Sequence, residues 1–165
     1  LDLFTALFLV RQLQPYEANL GKRLIRSPKV YIRDSGILHA LLQIQNFDSL
    51  LGHPVRGASW EGYVIDNLLA VLPEGVKPYF YRTSNGAEID LVLDFGQGRM
   101  QAVEIKAGTA PRMERGFHVA CDDLGITERY VVYSGTEVYP MGRGITALPL
   151  PAMMQRLREP AAKAA

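Results

Sequence analysis

Four side chains, Glu61, Asp90, Glu104 and Lys106, have the types and spacings that could do chemistry together. Glu104 and Lys106 stand two apart in an apolar run, 100–106, that reads as a strand, and residues two apart on a strand share a face. Asp90 lies in the preceding apolar run, 88–95, where alternation puts Glu88, Asp90, Val92 and Asp94 on one face. The turn at 96–99 can bring Asp90 beside Glu104, with the register left open by the sequence. Two carboxylates placed together repel, and a divalent cation with a preference for oxygen, Mg²⁺ or Mn²⁺, relieves that repulsion. A lysine two positions on can orient or deprotonate a water on such an ion, or stabilise charge developing on a phosphate. These are the parts that phosphodiester hydrolysis requires. A lone Glu-x-Lys carries little weight, because alternating charges are common on the wet face of an edge strand. The elements around it decide how much weight it carries here.

Glu61 belongs to a helical pattern over 59–72 that Pro73 and Gly75 end. Trp60, Val64, Leu68 and Val71 form one stripe, and Glu61, Ile65, Leu68 and Leu72 an overlapping one. Glu61 therefore sits at the edge of the apolar face, where a carboxylate is costly unless paired, hydrogen-bonded or bound to a cation. The plainer alternative is that Glu61, in the first helical turn, answers the positive end of the helix dipole.

The remaining elements form a frame around these positions. Leu3, Leu7 and Val10 recur at helical spacing, limited by Pro15. Residues 29–32 read as a strand, and Asp34-Ser35-Gly36 offers a cap for a helix through Ile37, Leu38, Leu41 and Leu42. Residues 43–58, with Gly52, Pro54 and Gly57, read as a connection. A strand at 78–82 and the Asn85-Gly86 turn predict a hairpin with 88–95, followed by the strand 100–106. A helix at 112–124, strands at 130–134 and 144–150 and a C-terminal helix complete the order, and the Ala-rich tail after Pro160 reads as disordered. The expected fold class is α/β.

Composition bounds the rest. The 165 residues, 48% hydrophobic and 21% charged, suffice for a real core. A net charge of +1 gives no overall pull toward nucleic acid. Lys22, Arg23, Arg26, Lys29 and Arg33 form a run without an acid, which fits either a phosphate-tracking stripe or a solvated basic face. Cys121 is alone, so no intrachain disulfide forms; a buried, inert thiol in a reducing compartment is expected. No apolar run reaches the ~18 residues of a membrane helix. His39, His53 and His118 lack zinc-ligand spacing, and no Gly-x4-Gly-Lys-[Ser/Thr] P-loop occurs. Arg82 fits either a reach to a phosphate or site carboxylate or an ordinary surface arginine, and Tyr79 and Tyr81 suit core packing better than base stacking. The chain opens in mid-pattern at Leu1, as a piece of a longer protein would.

Asp90-x13-Glu104-x-Lys106, after Trp60-Glu61-Gly62-Tyr63-Val64, resembles the PD-(D/E)XK nuclease superfamily of restriction endonucleases and archaeal Holliday-junction resolvases. More closely, five segments resemble a domain of unknown function found C-terminal to AAA+-type P-loop ATPases. They are Lys29-Val30-Tyr31-Ile32-Arg33-Asp34-Ser35-Gly36, Trp60-Glu61, Tyr81-Arg82-Thr83, Glu88-Ile89-Asp90 and Val103-Glu104-Ile105-Lys106. The resemblance implies a restriction-endonuclease-like αβββαβ core whose mixed sheet is flanked by helices. Residues 1–50 would be the remnant of a winged-helix-like segment, 51–58 a linker and 59–160 the nuclease-like domain. It further implies Asp90 and Glu104 as ligands of Mg²⁺ or Mn²⁺, Glu61 as a further ligand or orienting acid, and Lys106 as the catalytic lysine. DNA would be the substrate, the P-loop ATPase module of the same polypeptide the partner, and the cytoplasm the setting. Ala87-Glu88-Ile89-Asp90 departs from the motif in having no proline before the acid. The alternative is a catalytically inactive module that keeps the fold to bind DNA or a partner protein.

Overall fold

The structure, a computed structural model, describes residues 1–17 and 23–159. Lys22 of the basic run and the alanine-rich tail from Pro160 lie outside the described residues. The chain runs α1 (Asp2–Ala6), β1 (Val10–Leu13), β2 (Lys29–Ile32), α2 (Ser35–Leu41), α3 (Phe47–Leu51) and α4 (Arg56–Leu69). It continues as β3 (Lys77–Arg82), β4 (Glu88–Asp94), β5 (Met100–Lys106), α5 (Arg115–Asp123), β6 (Glu128–Tyr133), β7 (Tyr139–Gly142), β8 (Ile145–Pro149) and α6 (Leu150–Arg158).

The main sheet has six strands in the order β3-β4-β5-β6-β8-β7. Its first half is the antiparallel meander that the Asn85-Gly86 and Gly96-Gln97-Gly98 turns predict, since these glycines take the left-handed φ that tight hairpins need. Its second half is parallel: β5, β6 and β8 run together, and α5 carries the chain between β5 and β6. The sheet is therefore mixed and covered on both faces. Val64, Ile65 and Leu68 of α4 and Met153 and Leu157 of α6 pack with Leu91, Leu93, Val103 and Val132 on one side. Phe117, Ala120 and Cys121 of α5 pack with Val92, Ala102 and Val131 on the other. Cys121 is buried as expected, and burial pushes its thiol up to about 12, which leaves it inert.

The first fifty residues are stitched to this sheet. β1 and β2 form an antiparallel hairpin, Val10 opposite Ile32 and Leu13 opposite Lys29. Past β1 the chain runs along the edge strand β3, where Phe80 N donates to Gln14 O (3.0 Å) and Tyr16 N to Phe80 O (2.7 Å). Further on, Ile25 N donates to Arg82 O and Ser84 N to Arg23 O, both at 3.0 Å. An otherwise open edge is thereby covered, and Leu13 enters the core.

Three expectations need correction. The helical spacing of residues 1–10 yields only α1; the chain turns through Phe8 at φ 59° and pairs Val10 into β1, because strand pairing outweighs a short amphipathic pattern. The connection at 43–58 holds α3, which Asn46 caps by accepting Ser49 N at 2.8 Å, and the start of α4, which begins three residues before Ser59. The strand β7 was not foreseen, since Pro140 and Gly142 disguise a short edge strand.

The helix α5 lies very close to the β3–β4 turn. A Cβ at Gly116 would collide with the carbonyl oxygen of Gly86, a backbone atom that cannot step aside. Gly116→Ala should cost about 1–3 kcal/mol, read as a lower urea midpoint with an unchanged slope. An unshifted midpoint would contradict this packing.

Candidate active site

The four residues singled out by the sequence come together around one recess of about 240 Å³, lined by Glu61, Glu88, Asp90, Glu104, Lys106 and Glu114. Three elements meet here. The antiparallel ladder of β4 and β5 ends at Leu91 opposite Val103, and in the next position the Ile105 amide donates to Asp90 Oδ2 at 3.0 Å. The carboxylate thus takes over a backbone acceptor's role and is fixed by it.

A β-bulge aims Asp90. Tyr79 pairs with Val92 and Tyr81 with Ile89, so β4 spends one more residue than β3 over this step. Ile89 and Val92, three apart, consequently enter the same core cluster. This corrects the expected alternation. Glu88 and Asp90 share a face with each other and no longer with Val92 and Asp94, and they turn toward the cation described next.

Lys29 reaches in from β2. Its Nζ lies 2.8 Å from Glu61 Oε1, 3.0 Å from Glu88 Oε1 and 3.1 Å from Asp90 Oδ1. Tyr31, two residues along the same strand, donates its hydroxyl to Glu61 Oε1 at 2.5 Å. Gly62 makes room for that ring: a Cβ there would stand 3.0 Å from Tyr31 Cδ1. The hairpin is latched to α4 a second time where Arg11 and Arg33 both bind Asp66. Lys29 was read as part of a phosphate-tracking or solvated basic run. The structure corrects this: its side chain is only 17% exposed and is spent on three carboxylates. The helix-dipole reading of Glu61 fails as well, because α4 starts at Arg56 and Glu61 lies in its second turn.

On the opposite side of Asp90, Lys106 Nζ sits 2.9 Å from Glu104 Oε1 and 3.2 Å from Glu114 Oε1. Glu104 is 7% exposed, and its second oxygen, Oε2, is buried with no hydrogen-bond partner among the described residues. Arg82 is placed at the rim, 3.2 Å from Glu88 Oε2. Tyr81 is fully buried with its hydroxyl on Asp123, and Tyr79 meets the ring of Tyr16, so both serve packing. His39 Nε2 pairs with Ser59 Oγ at 2.7 Å, and His53 Nδ1 accepts Val55 N.

Electrostatics follow from this crowding. Burial and the Glu61 charge raise the Asp90 carboxyl to about 6, against the pull of Lys29 and the Ile105 amide. Burial and the Asp90 charge raise Glu104 to about 8, only partly offset by Lys106. Burial alone would lower the two lysines; instead Asp90, Glu61 and Glu88 hold Lys29 above its ordinary value, and Glu104 and Glu114 do so for Lys106. Both ammonium groups stay charged at neutral pH. Burial and Glu61 likewise raise Tyr31, which remains a donor. Among the described residues, no three His, Cys, Asp or Glu side chains are arranged to close around an ion. Asp90 and Glu104 form a pair, and Glu61 is engaged by Lys29.

Sequence reasoning missed Lys29, Tyr31, Glu88 and Glu114 as members of the site. The first two carried a signal: Lys29 and Tyr31 are two apart on a predicted strand, so a lysine had to share the face of a large aromatic. Glu114 precedes α5 with nothing to mark it.

The chain belongs to the family described as Domain of unknown function (DUF4143), whose model matches residues 56–153. A second model, Domain of unknown function (DUF8612), matches residues 1–48. Over 149 residues the chain is 42% identical to Uncharacterized protein Rv2008c of Mycobacterium tuberculosis and to Uncharacterized protein Mb2031c of Mycobacterium bovis. The match covers 90% of this chain and 33% of each relative, so the chain spans about a third of their length. No solved structure matches it. Among the described residues no helix is long and apolar enough to cross a membrane.

Glu104 sets a pH dependence in metal-free buffer. Its folded pKa is raised, so its stabilising contribution is complete below about pH 4 and is lost as pH rises through about 8. Glu104→Gln should match the wild type near pH 4 and surpass it by on the order of 2 kcal/mol above pH 8. Urea unfolding across pH checks this, and parallel wild-type and variant curves would contradict it.

Proposed function

We propose that this chain is a restriction-endonuclease-like nuclease module that hydrolyses phosphodiester bonds of DNA with the help of Mg²⁺ or Mn²⁺. The observation that carries the reading is Glu104: a buried carboxylate with one oxygen unpartnered, beside a second raised carboxylate and a charged lysine. A buried acid left in this state is costly, and a hard cation between Asp90 and Glu104 would relieve it. The donors fit, since Mg²⁺ is commonly held by one or two carboxylates and completed by water. The order of elements also agrees with the expected αβββαβ core: α4, the β3–β4–β5 meander, α5 and β6.

In this reading Asp90 and Glu104 hold the cation, and the Ile105 amide keeps Asp90 in place. Mg²⁺ or Mn²⁺ held there would supply charge neutralisation for a phosphate and acidification of a water. Lys106, kept protonated by Glu104 and Glu114, stabilises charge on the phosphate and does not serve as the base. Glu61 orients the site through Lys29 and Tyr31, in place of direct ligation. Arg82 at the rim is placed to meet the DNA backbone. The P-loop ATPase module, expected from the family resemblance, would lie in the two-thirds of the relatives' length that this chain does not span.

One observation favours a second reading. Lys29 already supplies a cation to three of the carboxylates, as an inactive site that has replaced its metal by an ammonium would require. Exposed Phe4, Phe8 and Leu41 beside an apolar groove would then serve a protein partner.

Mn²⁺-dependent nicking of plasmid and of branched DNA tests the first reading. Asp90→Ala and Lys106→Ala should each reduce cleavage at least a hundredfold while leaving the circular-dichroism spectrum unchanged. Cleavage retained in both variants would sink the nuclease assignment.

A further inference from the structure

The site holds more charge than Asp90 and Glu104 alone. Among the described residues, five carboxylates (Glu61, Glu88, Asp90, Glu104 and Glu114) face three cations, Lys29, Arg82 and Lys106. With every group ionised, two negative charges remain uncompensated. One divalent cation cancels them, and two would overshoot. The charges are also divided in space. Lys29 Nζ contacts Glu61, Glu88 and Asp90 within 3.1 Å, whereas it makes no ion pair with Glu104. The unpartnered oxygen belongs to Glu104, on the Lys106 side.

We propose that Lys29 is a built-in second cation: its ammonium occupies the position between Glu61, Glu88 and Asp90 that a second divalent ion would take, so the site accepts one metal ion and not two. The inference rests on the proposed Asp90–Glu104 cation site. A single carboxylate, Asp90, bridges the two positions, giving Oδ1 to Lys29 while Oδ2 is held by the Ile105 amide. The ammonium is tethered by four residues of ladder pairing between β1 and β2, by Tyr31 on Glu61 and by the Arg11–Asp66–Arg33 latch. The three carboxylates converge on the ammonium and, spaced for it, are not arranged to close around a metal ion. A metal entering that position would have to draw them in, displace the amine and leave it buried. The preference for the tethered cation is therefore a matter of pre-organisation: its position is set by folding. Lys29 acts here as a positioning residue, because it fixes Glu61 and Asp90 and stands in for a metal ion instead of touching substrate.

The experiment compares Mn²⁺ binding to the wild-type chain, Lys29→Met and Asp90→Ala/Glu104→Ala, using calorimetric stoichiometry and the electron paramagnetic resonance spectrum of the bound ion. Methionine keeps most of the side chain's length and removes its charge. The wild type should bind one Mn²⁺ with the spectrum of an isolated ion. Lys29→Met should bind two, with the broadened signal of a spin-coupled pair, and the double variant should bind none. Two ions on the wild type, or a single ion on a folded Lys29→Met, would overturn the inference and leave the metal-site reading standing. No binding to the wild type or to Lys29→Met would overturn the metal-site reading itself. Should Lys29→Met fail to fold, hydrogen exchange on the wild type decides. The Val30 and Tyr31 amides should keep their protection when Mn²⁺ saturates the site, and a tenfold loss of protection would show that the metal expels Lys29.

Discussion

Like charges brought out of water at the end of a sheet are the constraint around which this molecule is arranged. Asp90 and Glu104 lie on neighbouring strands at the point where the ladder between them ends; burial raises both, with the Glu61 charge adding to it at Asp90 and the Asp90 charge at Glu104. Such a pair is tolerated only when donors and cations are delivered from elsewhere in the chain. Lys29 comes from a hairpin more than fifty residues earlier, Lys106 from the strand that carries Glu104, and an amide from Ile105. The tight packing of β2 against Gly62 and the double latch at Asp66 are the geometric conditions for that delivery.

The two halves of the sheet make different contributions. The antiparallel meander supplies acids whose placement depends on a bulge, since one extra residue in β4 is what turns Glu88 and Asp90 away from the face of Val92 and Asp94. The parallel half supplies stiffness: β5 is hydrogen-bonded on both sides, to β4 and to β6, so Glu104 and Lys106 are held on the best-supported strand of the sheet. Helices on both faces exclude water from that strand, which raises Glu104 and strengthens every charge contact near it. The cost of the site and its ability to bind a cation have the same origin.

The N-terminal fifty residues change meaning in this light. They match a family model of their own, yet in three dimensions they cap the exposed edge of β3, place Leu13 in the core and bring a lysine against three of the recess carboxylates. Any movement of this segment relative to the sheet would shift a positive charge within 3 Å or so of the acids. The candidate site is therefore shared between both matched regions of the chain.

Much of the fold was legible because local patterns were strong. Glycine-marked turns, period-two apolar strands and the 59–72 stripe each report a local preference that packing did not override, and they located β2 to β6, β8, α2 and α4 to within a few residues. Weak patterns misled: α1 shrank in favour of a strand pair, and β7 was hidden by proline and glycine. Glu104 and Lys106 could be paired from their strand spacing of two, whereas Asp90 joined them through the turn at 96–99, Glu61 through the helical stripe, and their roles came from the family resemblance. The sequence by itself thus determined an α/β chain with acids and a lysine on adjacent strands. Only the tertiary structure decided the bulge that aims Asp90, the ammonium of Lys29 among three carboxylates and the lone oxygen of Glu104. Register, burial and ion pairing across 30 to 60 residues depend on how elements meet in space, and no local pattern encodes that meeting.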